Sequence, residues 1–179
     1  MKPIYLLPGQ WVVPHEPAEI TTILGSCVAV CLFDRVRRIG GMNHFLLATG
    51  GALFRERSRY GDTACEDLLQ CFFASGTRAS DLEAWILGGA SVGGSGRSGE
   101  GAPLGSRNAD VARSILRSHG IAIRHDDTGG LSARRLRFQS GFGVLEVKVI
   151  DGVAPTATTI LPVQGGAVSE TGSPRGGPR

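Results

Sequence analysis

Cys27 and His44 are the two residues of this chain whose types and spacing fit a reaction. They lie 17 positions apart within residues 21–44, T-T-I-L-G-S-C-V-A-V-C-L-F-D, then R-V-R-R, then I-G-G-M-N-H. A thiol and an imidazole joined by a hairpin are the minimal parts of a nucleophile and its base. Gly25 and Ser26 force a sharp turn before the thiol, and such a turn aims successive N–H groups at one point, as an oxyanion hole requires. Histidine also needs a third group to hold one tautomer. The hydroxyls of Thr21 and Thr22 are both within sequence reach, and the residues alone leave the choice open. A neighbouring base and convergent amides lower a thiol's pKa, so Cys27 is expected below the free-cysteine value of about 8.5. The competing reading is a buried, inert cysteine and a core histidine.

A metal site is a competing reading for Cys27, Cys31 and His44, and strand geometry argues against it. Cys27 and Cys31 are four apart on a strand, or about 13 Å, too far for one ion with ligands at about 2.0–2.3 Å. Cys65 and Cys71 fall off a common helix face, so Cys31, Cys65 and Cys71 read as packing residues. No metal and no cofactor are expected. The Gly-rich residues 88–105 carry no phosphate-loop pattern.

The elements that must position the pair follow from periodicity. Residues 20–23 look extended, and 28–33 form a continuous apolar run that suits a buried strand. Residues 34–38 turn the chain and 39–47 return it. Residues 4–7 read as a short edge strand. Tyr60-Gly61-Asp62 opens a helix, with Thr63 and Glu66 spaced as a capping box; Ala64, Leu68, Leu69, Phe72 and Phe73 make its apolar stripe. Residues 82–87 are a strand. Ser106 and Gly120 bracket a second helix, with Val111, Ala112, Ile115 and Leu116 as its core face. Strands follow at 121–124, 135–138 and 144–150. This order predicts an α+β domain with antiparallel pairing and helices to one side.

With 179 residues, 41% hydrophobic and 20% charged, the chain suits one soluble domain. A formal net charge of +3 is too small to argue for nucleic acid, and no basic face with interleaved aromatics occurs. Arg134, Arg135 and Arg137 read as a solvated strand face. No run approaches the roughly 18 apolar residues of a membrane span. The N-terminal apolar stretch is too short for a signal peptide, so the expected location is cytoplasmic. Residues 1–151 are expected as one domain with a flexible loop at 88–105, and residues 152–179 as a Gly/Pro-rich, largely disordered tail.

T-T-I-L-G-S-C-V-A-V-C-L-F-D and G-G-M-N-H-F-L-L resemble the CheD family of chemoreceptor glutamine deamidases. Y-G-D-T-A-C-E-D-L-L, L-G-G-A, L-G-S-R-N-A-D-V-A-R and the D-T-G-G-L-S-A-R segment resemble later family blocks, in the same order, over about residues 5–150. The resemblance implies a sandwich of mixed or antiparallel sheets flanked by helices, like deamidating bacterial toxins. It implies hydrolysis of glutamine side chains on methyl-accepting chemoreceptors to glutamate and ammonia. The implied roles are Cys27 as nucleophile, His44 as base and Thr21 as the orienting third member. It implies chemoreceptor cytoplasmic helices as partners, with some members pairing with a CheC-type phosphatase and some credited with methylesterase activity. A docking module for that phosphatase is the alternative function; another Cys-His acyl-transfer enzyme is a third. Ala48 departs from the family pattern, where proline is common.

Overall fold

The computed structural model describes residues 1–50, 54–91, 102–150 and 155–161. In chain order the strands and helices are β1 (Lys2–Tyr5), β2 (Gln10–Val12), β3 (Ala18–Leu24), β4 (Val28–Asp34), β5 (Ile39–His44), α1 (Gly61–Ala74), β6 (Leu82–Gly88), α2 (Leu104–Ser118), β7 (Ala122–Thr128), β8 (Ala133–Gln139), β9 (Val144–Ile150) and β10 (Pro155–Leu161). A 3-10 turn, Phe54–Arg59, leads into α1.

The strands form two sheets, ordered β1-β3-β8-β9-β10 and β2-β5-β4-β6-β7. Pairing is antiparallel except for β1 with β3 and β6 with β7. The two sheets face each other and the two helices cover the outer face of the second, an α+β sandwich. Strand β4 shows why its sequence is continuously apolar: both of its faces are covered. Val28, Val30 and Leu32 pack toward the helices with Leu68, Leu69, Phe72 and Leu116. Ala29, Cys31 and Phe33 point the other way, into the core between the sheets, with Ile20, Leu24, Trp85, Leu136 and Phe138.

Several details differ from the sequence expectations. Strand β2 was not foreseen. The second expected helix begins at Leu104, with Pro103 rather than Ser106 at its cap position. Thr63 makes no capping box; its hydroxyl bonds the Tyr60 carbonyl and its N–H bonds the Asp62 carboxylate. Within the expected disordered tail, β10 pairs antiparallel with β9. Its run of threonines and Ile160 carries the β preference that the surrounding Gly and Pro obscured. Of the expected loop at 88–105, residues 92–101 lie outside the described residues, as do 162–179 of the tail.

The start of α2 sits directly on the turn after β6. A methyl group added at Gly105 would lie 2.0 Å from the Gly89 carbonyl oxygen, backbone against backbone. Gly105→Ala is therefore expected to lower stability by about 3 kcal/mol, at the upper end of overpacking effects, or about 10 °C in melting temperature for a chain of this size. Calorimetry showing an unchanged transition would mean that α2 does not rest there.

Candidate active site

The register of the hairpin decides whether Cys27 and His44 meet. Cys31 pairs with Met42, and the same register continues to a bridge between Val28 and Phe45, whose backbone N–H and C=O groups exchange bonds of 3.1 and 3.0 Å. In that register Ala29 stands opposite His44, and Cys27 is its diagonal neighbour. Diagonal positions on one face of a sheet are about 7–8 Å apart, within reach of longer side chains. The face is also the same. Phe45 points to the helices, whereas Met42, Ala29 and Cys27 contribute to the core between the sheets. By alternation His44 shares that inner face.

The imidazole meets the opposite sheet. Thr22 Oγ1 lies 2.8 Å from His44 Nδ1 and 2.8 Å from the Leu6 carbonyl oxygen. Thr22 is buried, whereas the Thr21 hydroxyl lies 3.5 Å from the Ile4 carbonyl. The threonine on the imidazole is thus Thr22, where the family resemblance implied Thr21. The reason is strand parity. Along β3, Ile20, Thr22 and Leu24 are buried, while Glu19, Thr21 and Ile23 alternate outward. A period of two puts Thr22 on the inner face with its apolar neighbours. That alternation was the signal available in the sequence.

Hydrogen-bond accounting then assigns the tautomer. A backbone carbonyl only accepts, so the single Thr22 hydroxyl proton goes to Leu6. The Thr22 oxygen must accept from His44, and Nδ1 carries the ring proton. His44 Nε2 is left as a bare lone pair, buried and with no hydrogen-bond partner among the described residues. Burial pushes the His44 pKa down from 6.5 to about 4, against a smaller upward effect of the Leu6 carbonyl. His44 is therefore neutral at physiological pH. Burial also raises the Cys27 thiol above its ordinary value, partly offset by its own backbone N–H. This corrects the expectation of a lowered thiol. Among the described residues no charged group is a cause of the thiol's shift, so the resting pair is a neutral thiol and a neutral imidazole.

The turn that presents Cys27 is fixed by its carbonyls. Gly25 O accepts from Ala90 N–H at 2.8 Å, Cys27 O from Gly89 N–H at 2.8 Å, and Ser26 O from the Asn108 side chain at 3.1 Å. In a trans peptide the N–H points away from the C=O. The Ser26 and Cys27 N–H groups are thereby turned to the opposite side of the turn from these anchors. Gly88 makes the close approach possible: it has φ of 107°, and a methyl group there would lie 2.3 Å from Cys27 O. Sequence reasoning did not single out Leu6, Ala90 or Asn108, which act through backbone groups or across long separations.

The remaining candidates separate cleanly. Cys31 and Cys65 are fully buried, Cys71 is half-buried, and all four cysteines are free. Among the described residues no three His, Cys, Asp or Glu side chains gather as a metal site. Among the described residues no helix is long and apolar enough to cross a membrane. Arg134, part of the arginine run read as a solvated face, is 8% exposed and grips Asp127 at 2.7 Å and the Gly129 carbonyl at 3.0 Å, closing the loop after β7.

The chain is similar to known proteins that give its family. The family described as "CheD chemotactic sensory transduction" matches residues 49–149. "Probable chemoreceptor glutamine deamidase CheD 1" of Anaeromyxobacter dehalogenans is 42% identical over 146 residues, covering 81% of this chain and 83% of the relative. "Probable chemoreceptor glutamine deamidase CheD" of Zymomonas mobilis is 35% identical over 173 residues, covering 94% and 92%. That of Stenotrophomonas maltophilia is 40% identical, covering 80% and 71%. Among solved structures, a Bacillus licheniformis hypothetical protein, YfiH, is 15% identical with a TM-score of 0.43, covering 65% of this chain and 49% of that one. With a family match over more than half its length and relatives of this identity along most of theirs, the chain belongs to the CheD family.

Proposed function

We propose that this protein hydrolyses glutamine side chains of chemoreceptors to glutamate and ammonia, with Cys27 as nucleophile, His44 as base and Thr22 as the group that orients the imidazole. The observation that carries the reading is the His44 ring itself. Its Nδ1 is occupied by Thr22 and its Nε2 is buried without a partner among the described residues, on the sheet face that Cys27 shares. The names of the relatives supply the substrate class.

The chemistry balances without a cofactor. His44 Nε2 takes the thiol proton as the Cys27 sulfur attacks the glutamine carbonyl carbon. The Ser26 and Cys27 N–H groups meet the negative oxygen of the tetrahedral species. The C–N bond breaks, and the proton on His44 passes to the departing nitrogen, which leaves as ammonia. Water, deprotonated by His44 Nε2, attacks the thioester; the C–S bond breaks and the thiol regains its proton from His44. The product is glutamate. A resting neutral pair serves this route, since the proton moves as the sulfur attacks.

The test is incubation with chemoreceptor cytoplasmic fragments and mass spectrometry of the products. A gain of about one dalton at glutamine is expected for exchange of NH₂ by OH. Peptide cleavage or amine incorporation in its place would assign another acyl transfer. Absence of any change across receptor fragments would overturn the proposal.

Thr22 supplies a sharper check on the geometry. Thr22→Val keeps the shape but leaves the Leu6 carbonyl and the Nδ1 proton unpartnered. The loss of a buried hydrogen bond is about 1–3 kcal/mol, so the turnover rate is expected to fall about tenfold to a hundredfold. Thr21→Val is expected to stay within about twofold, because it removes no bond to the ring. Equal effects of the two substitutions on kcat would contradict the parity assignment.

A further inference from the structure

Asn108 lies in α2, 82 residues from Ser26 in sequence, yet its side chain reaches the catalytic turn. It is 0% exposed. Its Nδ2 donates to Ser26 O at 3.1 Å and to Leu46 O at 2.8 Å. Both amide protons are therefore spent, one on each side of the proposed pair: Ser26 precedes the nucleophile, and Leu46 lies two residues past the base. In the hairpin register Leu46 stands opposite Cys27. Flipping the amide would set Oδ1 against two carbonyl oxygens, so donor and acceptor positions are fixed by chemistry. Oδ1 itself is buried with no partner among the described residues. The site thus holds a buried amide with an unsatisfied acceptor, an unfavourable arrangement relative to a satisfied one.

We infer that Asn108 is a positioning residue of the reaction: it locks the plane of the Ser26–Cys27 peptide, so that the Cys27 N–H is preset for the developing oxyanion, and ties that plane to the strand carrying His44. The inference rests on the reading of Cys27 as nucleophile. The route is explicit. Gly25 and Cys27 carbonyls are anchored by backbone N–H groups of Ala90 and Gly89, but the peptide between them, whose N–H belongs to Cys27, is anchored by a side chain alone. Rotation of that one peptide moves the oxyanion donor and leaves both neighbouring anchors in place. Donors must already point at the transition-state oxygen to be effective. The Gly105–Gly89 contact seats α2 so that Asn108 arrives at this point.

The test compares Asn108→Ala with Ala112→Gly. The second weakens the same helix at a buried position of the core without touching the turn. For Asn108→Ala, kcat is expected to fall by at least about tenfold while KM stays within about twofold, the pattern of an interaction made in the transition state. Ala112→Gly is expected to lose thermal stability and keep kcat. Asn108→Ser retains one donor and is expected to fall between wild type and Asn108→Ala; it also serves if the alanine variant does not fold. A second readout uses no substrate: iodoacetamide alkylation of Cys27 against pH. With the peptide freed, the sulfur loses the Cys27 N–H that lowers its pKa, so the titration is expected to move upward. Unchanged kcat and an unmoved or lowered thiol titration in the asparagine variants would overturn the positioning role. A wild type that deamidates nothing, with the thiol titration still shifted by Asn108→Ala, would instead remove the deamidase reading and leave the clamp on the turn standing.

Discussion

Cys27→Ala is expected to lower the rate of mass gain at glutamine by at least about four orders of magnitude, the scale seen when a covalent nucleophile is removed. Nothing else in the site replaces it. Among the described residues the other cysteines are packed elsewhere: Cys31 faces the inter-sheet core, Cys65 lies in the helix-covered core, and Cys71 is on α1. The variant should fold as wild type, because a half-buried thiol is exchanged for a methyl group and none of the three carbonyl anchors of the turn involves the Cys27 side chain. Loss of activity with an unchanged melting transition is thus the result that assigns the sulfur. A variant that still converts glutamine within about tenfold of wild type would return Cys27 to the packing residues.

His44→Ala is expected to reduce turnover by about 10²- to 10⁴-fold, the range of general acid–base contributions. The pH dependence distinguishes this from a packing defect. Catalysis needs His44 unprotonated, and burial holds its pKa at about 4. The acid limb of kcat/KM in the wild type should therefore lie near that value, well below the range of an ordinary histidine. The alkaline limb should lie above the usual thiol range, since burial raises Cys27. Stability carries the same signature. The folded-state pKa of His44 is depressed, so the unfolded chain binds more protons between pH 6.5 and 4. The stabilisation is present above 6.5 and is lost as the pH falls toward 4, by about 3 kcal/mol in all. Denaturation of His44→Ala should lack this step. An acid limb near 6.5 would show that the imidazole is solvated and the tautomer assignment wrong.

Much of this was legible in the sequence because hydrophobic period is a strong signal where both faces of a strand are buried. The β4–β5 hairpin and the two helices follow from it, and so does the register that sets Cys27 diagonal to His44. The third residue was harder. Thr21 and Thr22 have the same chemistry, and only the parity set by Ile20 and Leu24 separates them. Strand β2 is three residues long and carries little periodicity. Strand β10 was masked by the composition around it. Asn108 was visible only as part of a family block, because its work depends on two backbone carbonyls, 62 and 82 residues away. The thiol direction was misjudged for a physical reason: burial of the sulfur itself outweighs its backbone N–H, and burial also keeps His44 neutral, so no charged imidazole offsets it.

The proposed proton relay runs between layers. Cys27 and His44 belong to one sheet and its turn, while Thr22 and the Leu6 carbonyl come with the other. No single supersecondary unit holds the whole arrangement. The enzyme is therefore assembled only when the sandwich shuts, and a slip of one layer against the other silences it while every helix and ladder survives. Competence to react is in this sense a gauge of how tightly two slabs of backbone are pressed together.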